Sequence, residues 1–198
     1  MEEGIRERSV IRLRHRTNTV HELQTLDARF GGIEIDVVGC RRGRGEDQRV
    51  VDIIVSHCPE EWGLLLRDFA PFFKSHQVIA INIKEYGLLP MLNEILQPYA
   101  EEGLQMFFFD VPGPELKDYI AKSEIDVFGR QSEFETQLGC DGLLIDSLEG
   151  TQSWLDNELV NSRLNPHPTA CISNSLRGVP DAFMGDLLPD FLITKEPE

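Results

Sequence analysis

The sequence contains no pair of cysteines spaced closely enough to suggest a metal site or a disulfide framework. Its four cysteines are scattered over 198 residues, at Cys40, Cys58, Cys140 and Cys171. Structural zinc sites and the frameworks of small secreted proteins both depend on closely spaced cysteines. We therefore expect these side chains to be reduced thiols.

Long apolar runs are also missing. No stretch approaches the roughly 20 apolar residues that a helix needs to cross a bilayer. The opening segment, MEEGIRERSV, lacks the apolar core of a secretory signal. Both absences predict a soluble, cytoplasmic protein without a membrane-spanning segment.

Basic residues are scarce, with 19 Lys and Arg against 34 Asp and Glu, for a net charge of −15. Such a negative chain disfavours nucleic acid and anionic membranes as partners. An anionic substrate would therefore need a local positive patch. One candidate is the segment CRRGRGEDQR, which holds Arg41, Arg42, Arg44 and Arg49. A solvated loop tip would have the same composition.

Nucleotide-binding motifs are absent as well. No G-x-G-x-x-G follows the first predicted strand, and GCRRGRG lacks the G-K-[ST] of a P-loop. These absences count against an open doubly wound sheet, which is the structural alternative to the barrel described next.

Short β-branched or aromatic runs alternate with amphipathic stretches along the whole chain, which predicts parallel strands joined by helices and an α/β fold. The predicted strands are Val10–Arg14, Gly32–Val38, Val50–His57, Val78–Lys84, Gln105–Asp110, Asp126–Gly129, Gly142–Asp146, Thr169–Ser173 and Phe191–Thr194. These nine segments fit a compact TIM (β/α)₈ barrel if Val50–His57 is a hairpin excursion from the second strand. We expect residues 1–198 to form this single domain.

Helices are predicted between most of these strands. Thr19 and Glu22 have the spacing of a capping box at the start of the first helix. Trp62 lies in the next apolar helical pattern, and we expect its side chain to be packed. The remaining predicted helices cover about 88–99, 114–122, 132–138 and 151–160.

Two carboxylates, Glu34 and Asp36, stand in the otherwise apolar run GIEIDVVG. Side chains two positions apart on a strand point to the same face, so these acids should lie side by side. Because close carboxylates repel each other, they need a positive partner. A metal ion is one solution, and a structural pair bonded to arginine or to backbone amides is the other.

Other polar residues end the apolar runs, where the carboxyl ends of barrel strands carry chemistry. Asn82 can add an amide oxygen to the two carboxylates, which are hard ligands suited to Mg²⁺ or Ca²⁺. His15 and His57 have the chemistry of a general acid and base, and Lys84 can neutralise a phosphoryl oxygen. Together these residues predict metal-assisted phosphoester chemistry. The other strand-end residues, read individually as solvated residues or caps, are Asp110, Arg130, Asp146, Ser173, Asn174 and Lys195.

The order of these motifs resembles that of a known superfamily. The chain is similar to the glycerophosphodiester phosphodiesterase-like branch of the phosphatidylinositol-specific phospholipase C-like phosphodiesterases, particularly to a small bacterial subgroup. The matching motifs are His15-Arg16, Glu34-Ile35-Asp36, His57-Cys58 and Asn82-Ile83-Lys84, and the later segments AINIKEYGL, FFFDVPGPEL and GRQSEFE fit the subgroup. The resemblance implies a TIM barrel.

The resemblance also implies roles for individual residues. His15 and His57 become the acid and base, while Lys84 contacts the phosphate of a small phosphodiester. Glu34 and Asp36, with Asn82, become the ligands of a divalent cation, Mg²⁺ or Ca²⁺. The residues expected to contact substrate are Arg16 and Arg130.

The chain departs from the superfamily pattern in two places. Asn82 replaces a third carboxylate, which removes a negative charge and should weaken ion binding. Cys58 replaces the aspartate that follows the second histidine. A barrel that binds a phosphorylated small molecule without cleaving it is therefore the alternative function, and an aldolase-like barrel with Lys84 as a Schiff-base lysine is a third.

Overall fold

The computed structural model describes residues 10–42, 49–59, 61–74, 77–131, 140–145, 168–172 and 190–195. The strands in these ranges are β1 (Ile11–Arg14), β2 (Gly32–Arg42), β3 (Arg49–Val55), β4 (Leu64–Leu65), β5 (Val78–Ile83), β6 (Gln105–Phe109), β7 (Asp126–Gln131), β8 (Gly142–Ile145), β9 (Thr169–Ile172) and β10 (Phe191–Thr194). Each of the nine predicted strands is present. The short β4 was not predicted.

Helices separate several of the strands. They are α1 (Val20–Gln24), α2 (Leu66–Phe69), α3 (Leu89–Glu101) and α4 (Leu116–Lys122), with 3₁₀ turns at Ala70–Phe72 and Gly113–Glu115. The expected capping box begins α1, since the Thr19 hydroxyl accepts from the Glu22 amide and the Glu22 carboxylate accepts from the Thr19 amide. The predicted helices at 132–138 and 151–160 lie outside the described residues. No helix in the described ranges is long and apolar enough to cross a membrane.

Eight of the strands form a parallel sheet, which confirms the α/β class. Neighbouring strands pair in the order β1-β10-β9-β8-β7-β6-β5-β2. In addition, β1 pairs with β2, where Leu13 lies opposite Gly32. Each of the eight strands therefore has a parallel partner on both sides.

The second strand extends beyond this parallel sheet. Its later part pairs with β3 in antiparallel fashion, and β3 pairs with β4. The predicted excursion of Val50–His57 from the second strand is therefore present. Trp62 corrects the sequence prediction, because it lies outside α2 and is 103% exposed. It precedes β4 in a segment that is not helical, so the apolar helical spacing does not bury its side chain.

The two faces of the parallel sheet have different neighbours. One face carries a cluster of side chains from strands alone, in which Phe107 stacks on Phe128 with ring centroids 4.1 Å apart. The opposite face packs against helices, so that Ile35 and Ile81 join Leu92 of α3 in a second cluster. Burial of these apolar faces stabilises the sheet.

The register of β2 against β5 places the polar side chains on the strand-only face. Glu34 lies opposite Ala80, and Asp36 lies opposite Asn82. Ala80 belongs to the strand-only cluster. Since alternate residues share a face, Glu34, Asp36 and Asn82 all point to that side of the sheet.

Gly32 lies where β1, β2 and β5 meet, and its missing side chain makes this approach possible. A Cβ at position 32 would overlap the Val78 carbonyl oxygen and would lie 2.7 Å from Leu13 Cδ2. We expect Gly32→Ala to lower the free energy of unfolding by about 1–3 kcal/mol through overpacking. Urea unfolding measures the change.

The matched control for this variant is Gly113→Ala, because a Cβ at position 113 has no described neighbour within 4 Å. This variant should unfold at the wild-type urea concentration. Equal stability of the two variants would contradict the close approach of the three strands at Gly32.

Candidate functional site

The candidate site lies at the carboxyl ends of β1, β2 and β5 and in the segment that follows β3. His15 and Arg16 come directly after β1, and His57 comes two residues after β3. Three further hydrogen bonds between backbone groups hold these segments together: Thr17 N to Glu34 O at 2.8 Å, Ser56 N to Asp36 O at 3.0 Å and Lys84 N to Val37 O at 3.2 Å. The polar side chains are thereby brought to one edge of the sheet.

Glu34 is 1% exposed and is contacted from three sides. The backbone N–H of Arg16 donates to its Oε2 at 2.6 Å, and the Asn82 amide donates to its Oε1 at 3.4 Å. His15 Nε2 lies 3.9 Å from Oε2. Two of these contacts come from the segment after β1 and the third comes from β5, so Glu34 links these two strands to the centre of the site.

Asp36 is fully buried and has a separate set of partners. The Asn18 side chain donates to its Oδ2 at 3.0 Å and also accepts from the Asp36 backbone N–H at 3.0 Å. Lys84 Nζ lies 3.0 Å from Oδ1, and His57 Nδ1 lies 3.4 Å from the same atom. Arg16 Nε lies 3.9 Å from Oδ2.

The geometry around His57 determines its tautomer. Arg16 Nη2 lies 3.0 Å from His57 Nε2. A guanidinium group can only donate, so Nε2 must accept and the ring proton must be on Nδ1, facing Asp36. His57 is therefore oriented between an arginine and a carboxylate.

The two central carboxylates have opposite pKa shifts. Burial and the neighbouring Asp36 charge raise the pKa of Glu34 to about 8. Burial also acts to raise the pKa of Asp36, but the Asn18 hydrogen bond, the Lys84 charge and the His57 contact outweigh it and hold that pKa below its ordinary value. At neutral pH and without a bound cation, Glu34 is therefore protonated and Asp36 is ionised.

His15 is also neutral at physiological pH. Burial, followed by the charge of Arg16, lowers the pKa of His15 to about 4. Lys195, which directly follows β10, lies close enough to act in the same direction. A neutral imidazole at this position can accept a proton.

Within the part of the chain that the structure describes, two residues at strand ends have positive φ without being glycine. Arg16 after β1 and Asp110 after β6 both have φ of 54°. Such backbone conformations are costly and cluster at functional sites. Asp110 lies next to the predicted substrate residue Arg130, whose Nη1 is 3.6 Å from Asp110 Oδ1.

The donor set at the centre of the site fits a hard divalent cation. Among the described residues, no group of three or more His, Cys, Asp and Glu side chains is placed to hold a metal ion. The candidate set instead combines two carboxylates with one amide. No described group bonds to the buried Asn82 Oδ1, and carboxylate and amide oxygens are the ligands that Mg²⁺ and Ca²⁺ prefer.

Sequence reasoning missed one residue of this site, Asn18. Its side chain makes two hydrogen bonds with Asp36. The only signal was its position shortly after His15-Arg16, because Asn18 ends no apolar run. His21 is exposed in α1. Four residues named in the sequence analysis, Arg44, Asp146, Ser173 and Asn174, lie outside the described residues.

Comparisons with known proteins find a solved structure with a similar fold, but no related sequence among family models or curated proteins. No protein-family model matches the chain, and no curated protein sequence matches it. A solved glycerophosphodiester phosphodiesterase from Parabacteroides distasonis ATCC 8503 has a similar fold, with a TM-score of 0.59. The match covers 96% of this chain and 94% of that one, at 12% sequence identity. At such an identity the likeness extends to the fold alone.

The raised pKa of Glu34 predicts how stability depends on pH when no divalent cation is bound. Between its ordinary pKa of 4.5 and its folded value of about 8, the folded protein keeps a proton that the unfolded chain releases. The free energy of unfolding should therefore fall as pH rises through this window, by at most about 1.4 kcal/mol per pH unit from this group. Glutamine does not titrate, so Glu34→Gln should remove the part of this decrease in the free energy of unfolding that Glu34 causes.

Urea unfolding in EDTA at several pH values tests this expectation. Glu102→Gln is the matched control, since Glu102 is exposed at the end of α3. The control should keep the wild-type pH dependence. If Glu34→Gln and Glu102→Gln gave the same profile as wild type, the protonation of Glu34 in the folded state would be contradicted.

Proposed function

We propose that the protein is a metal-dependent phosphodiester hydrolase of the glycerophosphodiester phosphodiesterase-like kind. The observation that carries this proposal is the buried set of Glu34, Asp36 and Asn82 with two histidines and Lys84 around it. The fold of the solved phosphodiesterase supports it at a coarser level. A small phosphodiester also suits a chain whose net charge of −15 disfavours nucleic acid.

The proposal includes a compact (β/α)₈ barrel. The pairing of β1 with both β2 and β10 supports closure of the eight parallel strands. The helix-covered face and the strand-only face support a barrel with a filled interior. In that arrangement the site lies at the carboxyl end of the barrel.

Glu34, Asp36 and Asn82 would hold the divalent cation, Mg²⁺ or Ca²⁺. When bound, the cation supplies Lewis acidity toward a phosphoryl oxygen and a positive charge that allows Glu34 to ionise. Lys84 adds a second positive charge on the Asp36 side, with Nζ at 3.0 Å from Oδ1. The positive charges of Lys84 and of the cation would thus be concentrated beside the two carboxylates.

His15 is assigned as the general base. Its lowered pKa of about 4 keeps it neutral, so it can take the proton of an attacking hydroxyl or water. Its Nε2 faces Glu34, which orients the ring toward the centre of the site. The proton gained by His15 is returned to solvent after the reaction.

His57 is assigned as the general acid that protonates the leaving alkoxide. In the present arrangement Arg16 donates to His57 Nε2, and two donors cannot face each other. Arg16 must therefore leave this nitrogen when His57 takes up a proton from solvent, which it then gives to the leaving alkoxide. Its side chain is 49% exposed, so it can turn to a phosphoryl oxygen of the substrate, where Lys84 also offsets developing charge.

Arg130 completes the substrate contacts in this proposal. Asp110, with its strained backbone, lies within 3.6 Å of Arg130 and holds the guanidinium near the end of β6. An arginine fixed in this way can bind a phosphoryl oxygen or a hydroxyl of the substrate in a defined orientation.

Hydrolysis of glycerophosphodiesters and of bis(p-nitrophenyl) phosphate tests the function. With Mg²⁺ or Ca²⁺ the protein should release the alcohol, and excess EDTA should abolish the release. His15→Ala should lower kcat by about 100-fold or more, because a general base contributes roughly 10²–10⁴-fold. His21→Ala is the control, since His21 is exposed in α1 and should retain wild-type activity.

One alternative function is favoured by a specific observation. Lys84 already neutralises Asp36, and Asn82 brings no charge, so the site can be stable as a phosphate-binding site without turnover. Thermal stabilisation by glycerol phosphate, together with no hydrolysis across a panel of phosphodiesters, would favour this binding function. Activity that persists in EDTA and in His15→Ala would exclude the proposed mechanism.

A further inference from the structure

A cavity of about 530 Å³ lies beside the antiparallel strands β2, β3 and β4. Its lining includes Cys40, Ile54, Pro59, Glu61, Trp62 and Leu65. Pockets that bind small molecules are of this size and are mostly apolar with a few polar groups. None of these residues belongs to the catalytic set proposed above.

The pairing register places this cavity on the same face of the sheet as the catalytic carboxylates. Val38 lies opposite Ile54, and Ile54 lies opposite Leu65, so these side chains share a face. Asp36 is two residues before Val38 and points to the same side. Because a strand rises about 3.3 Å per residue, Val38 lies about 7 Å beyond Asp36 along β2.

A second connection runs through the segment after β3. His57 contacts Asp36, and Pro59, only two residues later, lines the cavity. Consecutive Cα atoms are about 3.8 Å apart, so these two residues are separated by less than about 8 Å. A substrate with its phosphorus beside His57 and Asp36 therefore has one alcohol group within reach of the cavity.

The charges around the cavity favour a neutral group. Arg41 also lines it, but its guanidinium is bound to Glu85 at 3.2 Å. Glu61 adds a negative charge to the lining. A phosphate is therefore directed to Lys84 and Arg16, and the uncharged part of the substrate is directed to the cavity.

Trp62 indicates the chemical nature of that neutral group. Its side chain is 103% exposed, although tryptophan is usually largely buried. An aromatic ring or another flat apolar group bound against Trp62 would remove both surfaces from water and add a ring–ring contact. Ile54 and Leu65 provide further apolar surface to the same occupant.

We propose that this cavity is a substrate subsite that binds an uncharged, ring-containing alcohol arm of the phosphodiester. The inference rests on the proposed hydrolase function and deepens it by naming the substrate class. Phosphodiesters with such an arm are then preferred over those that carry only small alcohols.

The phenyl and methyl esters of glycerol phosphate test the subsite, because they differ only in this arm. Hydrolysis is followed by ³¹P NMR. For each ester, the kcat/KM of a variant is divided by that of the wild type, so the different intrinsic reactivities of the two esters cancel. Trp62→Ala should lower kcat/KM for the phenyl ester by about 10-fold or more and leave that for the methyl ester unchanged. Trp62→Phe should retain most of the wild-type value.

Phe72→Ala is the matched control, because Phe72 is an exposed aromatic residue that does not line the cavity. It should leave both esters unaffected. If Trp62→Ala had an equal effect on the two esters, or no effect on either, the subsite proposal would be wrong. The proposed hydrolase function would not be affected by that result.

Failure of the hydrolase function gives a different result, namely no turnover of either ester by the wild type. Binding of phenyl phosphate, measured by quenching of tryptophan fluorescence, then tests whether the subsite exists. Saturable quenching that is lost in Trp62→Phe supports it, and quenching that is absent or unchanged in this variant overturns it.

Discussion

The burial of two carboxylates side by side on β2 is the constraint on which the rest of the site depends. Glu34 and Asp36 are 1% and 0% exposed, and neither charge is tolerated there without compensation. The compensation comes from every neighbouring segment: the backbone after β1, the Asn18 and Lys84 side chains, and the histidine after β3. The carboxylates thus require these strand ends to converge.

The two carboxylates are not compensated equally, and this difference gives them different protonation states. Asp36 receives hydrogen bonds and a lysine, whereas Glu34 receives one backbone N–H, a long contact from Asn82 and the more distant Nε2 of His15. Without a cation one of the two acids must therefore carry a proton. Replacement of that proton by a divalent ion would restore the second charge and complete the oxygen set. Because Asn82 is neutral, it adds no repulsion to the two carboxylates and would attract a cation less than a third carboxylate would.

Much of the fold could be predicted from the sequence because its signals are local. Alternating strand and helix patterns predicted the parallel sheet. Because these patterns gave one strand more than an eight-stranded barrel holds, they also predicted the excursion of β3. The pair of acids was visible because strand alternation fixes the face of residues 34 and 36. Asn18 was not visible, since its role depends on how the chain turns after β1 toward Asp36. Trp62 was assigned to a packed helix because apolar spacing alone cannot distinguish a helical face from the wall of a cavity.

The positive φ of Arg16 and Asp110 has a consequence for how this protein would respond to selection. Glycine adopts this conformation without penalty, while other residues lose of order 1–3 kcal/mol. Selection for heat resistance alone would therefore favour glycine at both strand exits, yet it would remove the guanidinium that contacts His57 and the carboxylate that contacts Arg130. At these two positions, therefore, a cost in backbone free energy is tied to the side chains that contact His57 and Arg130.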